Sequence, residues 1–142
     1  MHDIGKVAIP DAILLKRNQL DAEQWQVMRQ HPTIGHDILK GSERPILNAA
    51  ATIAHQHHER VDGKGYPQGL MGEQIHLHAR IVAVADVFDA LCHARCYKPA
   101  WPLPDVLNYI RDVSGTHLDP VIVEALFANL DAALAVNVRY PD

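Results

Sequence analysis

Closely spaced helix start and stop signals divide this sequence into short segments, and this spacing is what most limits its fold. Asp21 is placed to cap a helix from Ala22 to about Gln30, with Gln24 as its capping-box partner. Pro32 opens a second helix that runs to Lys40 and stops at Gly41. Such signals favour several short helices over one long one.

The same signals continue along the rest of the chain. They predict helices from Pro45 to His58, from about Leu77 to Ala94, from Pro104 to Val113 and, capped by Asp119, from Pro120 to about Ala135. The expected buried stripes are Ile46, Ala50, Ile53, Ala54 and His57 in the first of these, and Ile81, Val84, Phe88 and Leu91 in the second. Residues 60–74 read as a glycine-rich loop. The predicted class is all-α, in one domain over residues 1–142.

Composition excludes several classes of protein. Hydrophobic residues make up 48% and charged residues 21% of 142 residues, as in ordinary globular domains. The longest apolar runs have five residues, too few for a membrane segment. The net charge is -4, so the chain lacks the excess of basic residues that is typical of proteins that bind nucleic acid polymers. With no leader and only Cys92 and Cys96, which are too few for a disulfide framework, a cytoplasmic location is expected.

Ten histidines stand out in a chain of this length. His57 and His58 end a helix just before the glycine-rich loop, and His57 lies on its apolar stripe, where a buried imidazole needs a partner. His2 and Asp3 form a weaker pair, since two polar neighbours are common at exposed helix ends. His36-Asp37 repeats that pair outside the other motifs of the chain, and we expect it to be an exposed helix pair.

A carboxylate on the long helix extends this pattern. Asp86 lies between Ala85 and Val87 in an apolar run, and a buried carboxylate needs a cation or hydrogen-bond donors. Histidines and carboxylates without thiolates suit iron, manganese, nickel or zinc. The candidate residues come from segments 2–3, 31, 57–58 and 86, so only a helical bundle folded around them brings them together.

These residues form an ordered series that resembles the HD-GYP phosphodiesterases, a branch of the HD superfamily of metal-dependent phosphohydrolases. The series consists of His2-Asp3-Ile4-Gly5-Lys6, His31-Pro32 with Gly35, His57-His58-Glu59, Asp62-Gly63-Lys64-Gly65-Tyr66-Pro67, Ala79-Arg80-Ile81, Val84 to Leu91, Arg95 with Tyr97-Lys98, and Gly115 with Asp119-Pro120. It extends from residue 2 to about residue 127 in the order of the family.

The resemblance implies hydrolysis of cyclic di-GMP to linear pGpG or GMP. The implied metal ligands are His2, Asp3, His31, His57, His58 and Asp86, around two or three divalent ions, with iron or manganese the family's usual preference. It also implies that Asp3 bridges two metals and that Lys6 lies beside the attacked phosphate. Arg95 and Lys98 match positions that contact phosphates of the ligand. Tyr66 and the loop from Gly63 match the segment that borders the site and has been linked to diguanylate cyclase (GGDEF) domains.

The sequence departs from the family pattern at its start, because further helices precede the His-Asp pair in the family whereas only Met1 precedes it here. We therefore expect an N-terminally truncated domain, with weaker metal binding or a homodimer that covers the exposed face. Two functions fit the sequence. One is a phosphodiesterase; the other is a catalytically impaired module that binds nucleotide or a diguanylate cyclase partner.

Overall fold

The computed structural model describes residues 1–16, 18–93 and 100–139. The α-helices within these residues are α1 (Asp11–Leu14), α2 (Ala22–Met28), α3 (His31–Leu39), α4 (Pro45–Gln56), α5 (Leu77–Cys92), α6 (Leu103–Asp112), α7 (Pro120–Ala128) and α8 (Leu130–Arg139). Two 3-10 helices, Ile4–Ala8 and Gly72–Gln74, complete them. In these ranges β pairing is limited to two isolated bridges, so the all-α prediction is confirmed.

Local capping signals locate the helix starts correctly. Asp21 accepts a hydrogen bond from the backbone N–H of Gln24, and the side chain of Gln24 accepts one from the N–H of Asp21, which completes the predicted capping box. Asp119 caps α7 by accepting hydrogen bonds from the backbone N–H groups of Val121 and Ile122. The helix from Ile4 to Ala8 and α1 were not predicted, because they have only five and four residues and neither carries a side-chain cap.

The last predicted helix is wrong as a single element. It breaks at Asn129, and the two parts are bent by 78°. Asn129 donates a side-chain hydrogen bond to the carbonyl of Ala125 (2.9 Å), so its amide satisfies an acceptor at the end of α7 and favours a stop there. Within the described residues no single helix is long and apolar enough to cross a membrane. The bent pair of α7 and α8 meets the length and composition only when its two helices are taken together.

The hydrophobic core lies between α5, α6 and α7. Its buried members include Val84, Phe88, Val106, Ile110 and Val123. Two stripe predictions are wrong, since Ile81 is 44% and Ile46 70% exposed.

Small side chains replace those two residues in the buried positions. The buried residues of α4 are Ala50, Ala51 and Ala54, and α5 begins its buried face with Ala79 and Ala83. Alanine lets helix backbones approach closely, and α4 packs against both α3 and α5. The two histidines that follow α4 are thereby held between these helices.

Candidate metal centre

Four side chains from three separate segments converge on one point. One ligand atom from each of Asp3, His31, His57 and His58 lies within 4.8 Å of the others. Asp3 precedes the first 3-10 helix, His31 begins α3, and His57 directly follows α4 with His58 next to it. His31 and His57 are buried, whereas the side chain of Asp3 is 39% exposed. The group is therefore closed on the protein side and open to solvent on the other.

A close backbone contact brings Asp3 to this point. A Cβ atom at Gly5 would lie 2.5 Å from the amide nitrogen of Gly35 and still closer to the carbonyl oxygen of His31. Only glycine lets the first 3-10 helix lie directly against α3. Because Asp3 precedes Gly5 by two residues, this contact sets the separation between the Asp3 carboxylate and the His31 imidazole.

Backbone carbonyls determine which ring nitrogens carry protons. The Nδ1 atom of His31 donates to the carbonyl of Met28 (2.7 Å), and Nδ1 of His57 donates to that of Ala54 (2.9 Å). Each carbonyl can only accept, so in the neutral ring Nε2 carries the lone pair. Metal-binding histidines are oriented by the same kind of hydrogen bond from the nitrogen that does not bind the metal.

The lone pairs fixed in this way face one another. Nε2 of His31 lies 3.4 Å from Nε2 of His57, and Oδ1 of Asp3 lies 3.3 and 3.7 Å from the same two atoms. Three acceptors that converge at these distances repel unless a cation lies between them. Nitrogen and carboxylate donors are suitable ligands for divalent transition metals. The arrangement can therefore hold a metal ion.

The charge states of the group suit the same chemistry. Burial raises the pKa of Asp3, but the neighbouring side chains of His2, His31, His57 and Lys6 outweigh this effect and hold that pKa far below the usual range. Burial, and then the charges of His57 and His31, lower the pKa of His58 to about 3. At neutral pH Asp3 is thus an anion and His58 a neutral imidazole, the forms that bind metals.

His2 and Asp86 lie at the solvent side of the cluster. Nε2 of His2 is 3.5 Å from Oδ2 of Asp3 and 3.8 Å from Oδ1 of Asp86, and the rings of His2 and His57 are 5.1 Å apart. Both side chains are about one third exposed. All six ligands implied by the sequence resemblance are thus neighbours, as an inner group of four and an outer pair.

Lys6 approaches the same carboxylate from the first 3-10 helix. Its Nζ atom lies 2.6 Å from Oδ2 of Asp3, and its side chain is 37% exposed. This places an ammonium group with three protons at the open edge of the centre.

The glycine-rich loop is attached to the centre by Glu59, whose role the sequence did not reveal. This carboxylate is buried and accepts hydrogen bonds from the backbone N–H groups of Gln68 (2.7 Å) and Leu70 (3.0 Å). A Cβ atom at Gly65 would lie 2.5 Å from the Cα atom of Glu59, so only glycine permits this close packing. The loop is therefore folded back onto the segment that carries His57 and His58.

Within this loop Tyr66 contacts the centre directly. Its ring stacks on that of His58 at 4.9 Å, and its backbone N–H donates to the carbonyl of His58 (3.2 Å). Burial raises the pKa of the Tyr66 hydroxyl to about 12, so it remains protonated. Gly63 has a different place: its φ of 76° closes a turn on the carbonyl of Arg60 (2.9 Å). Arg95 and Lys98 lie outside the described residues.

The second His-Asp pair differs from its prediction. Asp37 is exposed, as expected, and it pairs with Lys40, which the sequence analysis did not anticipate. His36 is instead half-buried: its Nδ1 donates to the carbonyl of Ala51 (3.2 Å), and its ring stacks on His55 at 4.5 Å. The reason is that α3 packs along α4, so His36 faces that helix.

Comparison with known proteins agrees with the motifs. The family model described as "HD domain" matches residues 1–122. The cyclic di-GMP phosphodiesterase response regulator RpfG of Xanthomonas campestris pv. campestris is 52% identical over 126 residues, which cover 89% of this chain and 33% of that protein. A 3'3'-cGAMP-specific phosphodiesterase 2 of Vibrio cholerae is 43% identical over 142 residues, 100% of this chain and 27% of that protein.

Further matches have the same character. A cyclic di-GMP phosphodiesterase of Thermotoga maritima is 50% identical over 125 residues, 88% of this chain and 34% of that protein. The crystal structure of a cyclic GMP-AMP phosphodiesterase of V. cholerae (V-cGAP3) has a TM-score of 0.62 and 24% identity, over 83% of this chain and 27% of that one, and shows the fold alone. The chain spans about a third of the length of the curated relatives it matches. The resemblance drawn from the sequence motifs is confirmed.

Replacing Gly5 tests how Asp3 is positioned. The added methyl group of Gly5→Ala pushes the first 3-10 helix away from α3 and separates Asp3 from His31. We expect metal affinity to fall roughly tenfold or more, measured by competition with a chromophoric chelator. Val7→Ala, at an exposed site of the same helix, is the control. Unchanged affinity in Gly5→Ala would contradict this role.

The lowered pKa of His58 predicts how stability depends on pH. Between the pKa of about 3 in the folded protein and the ordinary value of 6.5, the unfolded chain binds a proton that the folded chain does not. Stability of the metal-free protein therefore decreases as pH falls through this range, by up to about 1.4 kcal/mol per pH unit for this group.

Urea unfolding in EDTA, from about pH 7 to about pH 5, measures this dependence. We expect a shallower slope in His58→Gln than in the wild type, and an unchanged slope in the exposed control His78→Gln. Equal slopes for the wild type and His58→Gln would contradict the assignment.

Proposed function

The chain belongs to the HD domain family, and from this membership and the geometry of the centre we propose that it is a metal-dependent phosphodiesterase for cyclic di-GMP. The observation that carries the proposal is the convergence of the Nε2 atoms of His31 and His57 with the carboxylate of Asp3. The relatives named as cyclic di-GMP phosphodiesterases support the choice of substrate. The proposed products are linear pGpG, GMP or both.

Asp3, His31, His57 and His58 would hold one metal ion. His2 and Asp86, with Asp3, would hold one or two further ions, so that the proposed centre has two or three ions in total. Iron or manganese is proposed, and zinc and nickel suit the same donors. When bound, such ions activate water as a nucleophile and neutralise phosphate charge.

Other residues of the chain act on the substrate. The Lys6 ammonium, held by Asp3 at the open edge, is placed to contact a phosphate oxygen and to give a proton to the leaving oxygen. Arg95 and Lys98 are proposed to hold the non-bridging phosphate oxygens. Tyr66 covers one side of His58, and we propose that it borders the bound nucleotide.

The wider setting follows from this proposal. Cyclic di-GMP is the proposed ligand, the cytoplasm the proposed location, and diguanylate cyclase (GGDEF) domains and a second copy of the chain are proposed partners. A module that binds the nucleotide without hydrolysis is the second candidate, because His2, Asp3 and Asp86 are each about one third exposed.

Turnover tests the proposal. The chain, loaded anaerobically with ferrous or manganous ion, is expected to convert cyclic di-GMP to products separable by chromatography. Asp3→Ala removes the carboxylate shared by the inner and outer ligands, so we expect kcat/KM to fall by more than about a hundredfold. Asp37→Ala is the matched control, since it alters an exposed aspartate that also follows a histidine. Equal rates for Asp3→Ala and wild type would contradict the assignment, and metal-loaded protein that binds but does not hydrolyse would favour the second candidate.

A further inference from the structure

A pocket of about 690 Å³ opens beside the centre, on the side of His58. Its walls include Trp25 from α2 and Arg29 directly after that helix, with Lys64 and Tyr66 from the loop that follows α4. This volume lies within the range of sites for small ligands. None of the roles assigned above uses Trp25, Arg29 or Lys64.

The side chain of Arg29 lies over the ring of Tyr66. The guanidinium carbon is 4.6 Å from the centre of that ring. A guanidinium carries five N–H donors, and a cation–π contact through its carbon does not depend on them. Among the described residues, no salt bridge or hydrogen bond joins the Arg29 side chain to a carboxylate.

The charge of the pocket differs from that of the chain. Three cationic residues, Arg29, Arg60 and Lys64, line it, and none of the described lining residues is acidic, although the net charge of the chain is -4. Arg60 is neutralised by two hydrogen bonds to Asp62 (2.7 and 3.0 Å). Arg29 and Lys64 therefore give the pocket a positive character next to the centre.

The pocket also offers an aromatic surface. Trp25 is 49% exposed and lies four residues before Arg29, the C-cap of α2, whose backbone is still helical, so both side chains project from the same face. An exposed indole beside a guanidinium provides a stacking surface together with a hydrogen-bonding fork. Guanine presents two adjacent acceptors, O6 and N7, that match such a fork, whereas adenine presents a donor in place of O6.

We propose that this pocket binds one guanine base of the substrate, with Trp25 as the stacking surface and Arg29 as the residue that selects guanine over adenine. The proposal rests on the function proposed above, because it places that pocket beside the phosphodiester cleaved at the centre. Arg29 is thus a specificity residue and not a ligand of the metal centre.

Tryptophan fluorescence tests base binding without turnover. The metal-free protein in EDTA is titrated with cyclic di-GMP, with cyclic di-AMP, which has the same phosphate ring but no guanine, and with inorganic phosphate. We expect saturable quenching by cyclic di-GMP, roughly tenfold weaker binding of cyclic di-AMP, and no quenching by phosphate. Trp25→Phe should lose the signal, because only Trp101 then remains.

Variants of Arg29 test the selection itself. Arg29→Ala is expected to weaken cyclic di-GMP binding roughly tenfold and to leave cyclic di-AMP little changed, so that the preference disappears. Arg29→Lys keeps the charge but loses the fork, and should also lose the preference. Arg44→Ala removes an exposed arginine at the start of α4 and should behave as the wild type.

Three results would overturn the proposal: no quenching of Trp25 by cyclic di-GMP, equal binding of the two cyclic dinucleotides by the wild type, or equal weakening of both in Arg29→Ala. The last result would mean that Arg29 contacts a phosphate group and does not select the base. Because the titration needs no metal and no hydrolysis, these results are independent of the turnover assay. A chain that hydrolyses cyclic di-GMP but gives one of these three results keeps its proposed function and loses only this base-binding pocket.

Discussion

Two imidazole lone pairs that face each other across 3.4 Å, with a carboxylate oxygen beside them, are the interaction on which this structure depends. Backbone carbonyls of Met28 and Ala54 fix the orientation of the two rings from behind, so the neutral histidines cannot turn to relieve the repulsion without losing those hydrogen bonds. A proton can satisfy one pair of acceptors; a divalent cation satisfies all of them together. The folded chain therefore presents a group of donors that can hold a cation.

The rest of the fold keeps distant segments at that site. Gly5 permits direct backbone contact between the first 3-10 helix and α3, and Gly65 permits the same between the loop and Glu59. The buried Glu59 carboxylate then holds the loop by two backbone N–H groups, and Tyr66 lies on His58 as a result. Packing of small residues along α4 places both of its terminal histidines between neighbouring helices.

What could be predicted from the sequence is what local chemistry determines. The capping residues Asp21 and Asp119 located two helix starts, and the family motifs identified the residues that the structure brings together. Contacts between backbone atoms that are distant in the sequence leave no such local signal. Only the structure therefore shows what Gly5 and Glu59 do. The break at Asn129 was missed for a related reason: a single asparagine is tolerated in many helices, and here its side chain bonds to the end of α7.

Metal content is the measurement that tests the central claim most directly. The purified chain is loaded anaerobically, freed of loose ions by gel filtration and analysed by mass spectrometry of the elements, beside His57→Ala, which removes one of the two facing lone pairs. We expect at least one tightly held transition-metal ion per wild-type chain and a clear loss in the variant. Wild-type protein that retains no metal, or a variant that retains as much as the wild type, would contradict the assignment of this centre.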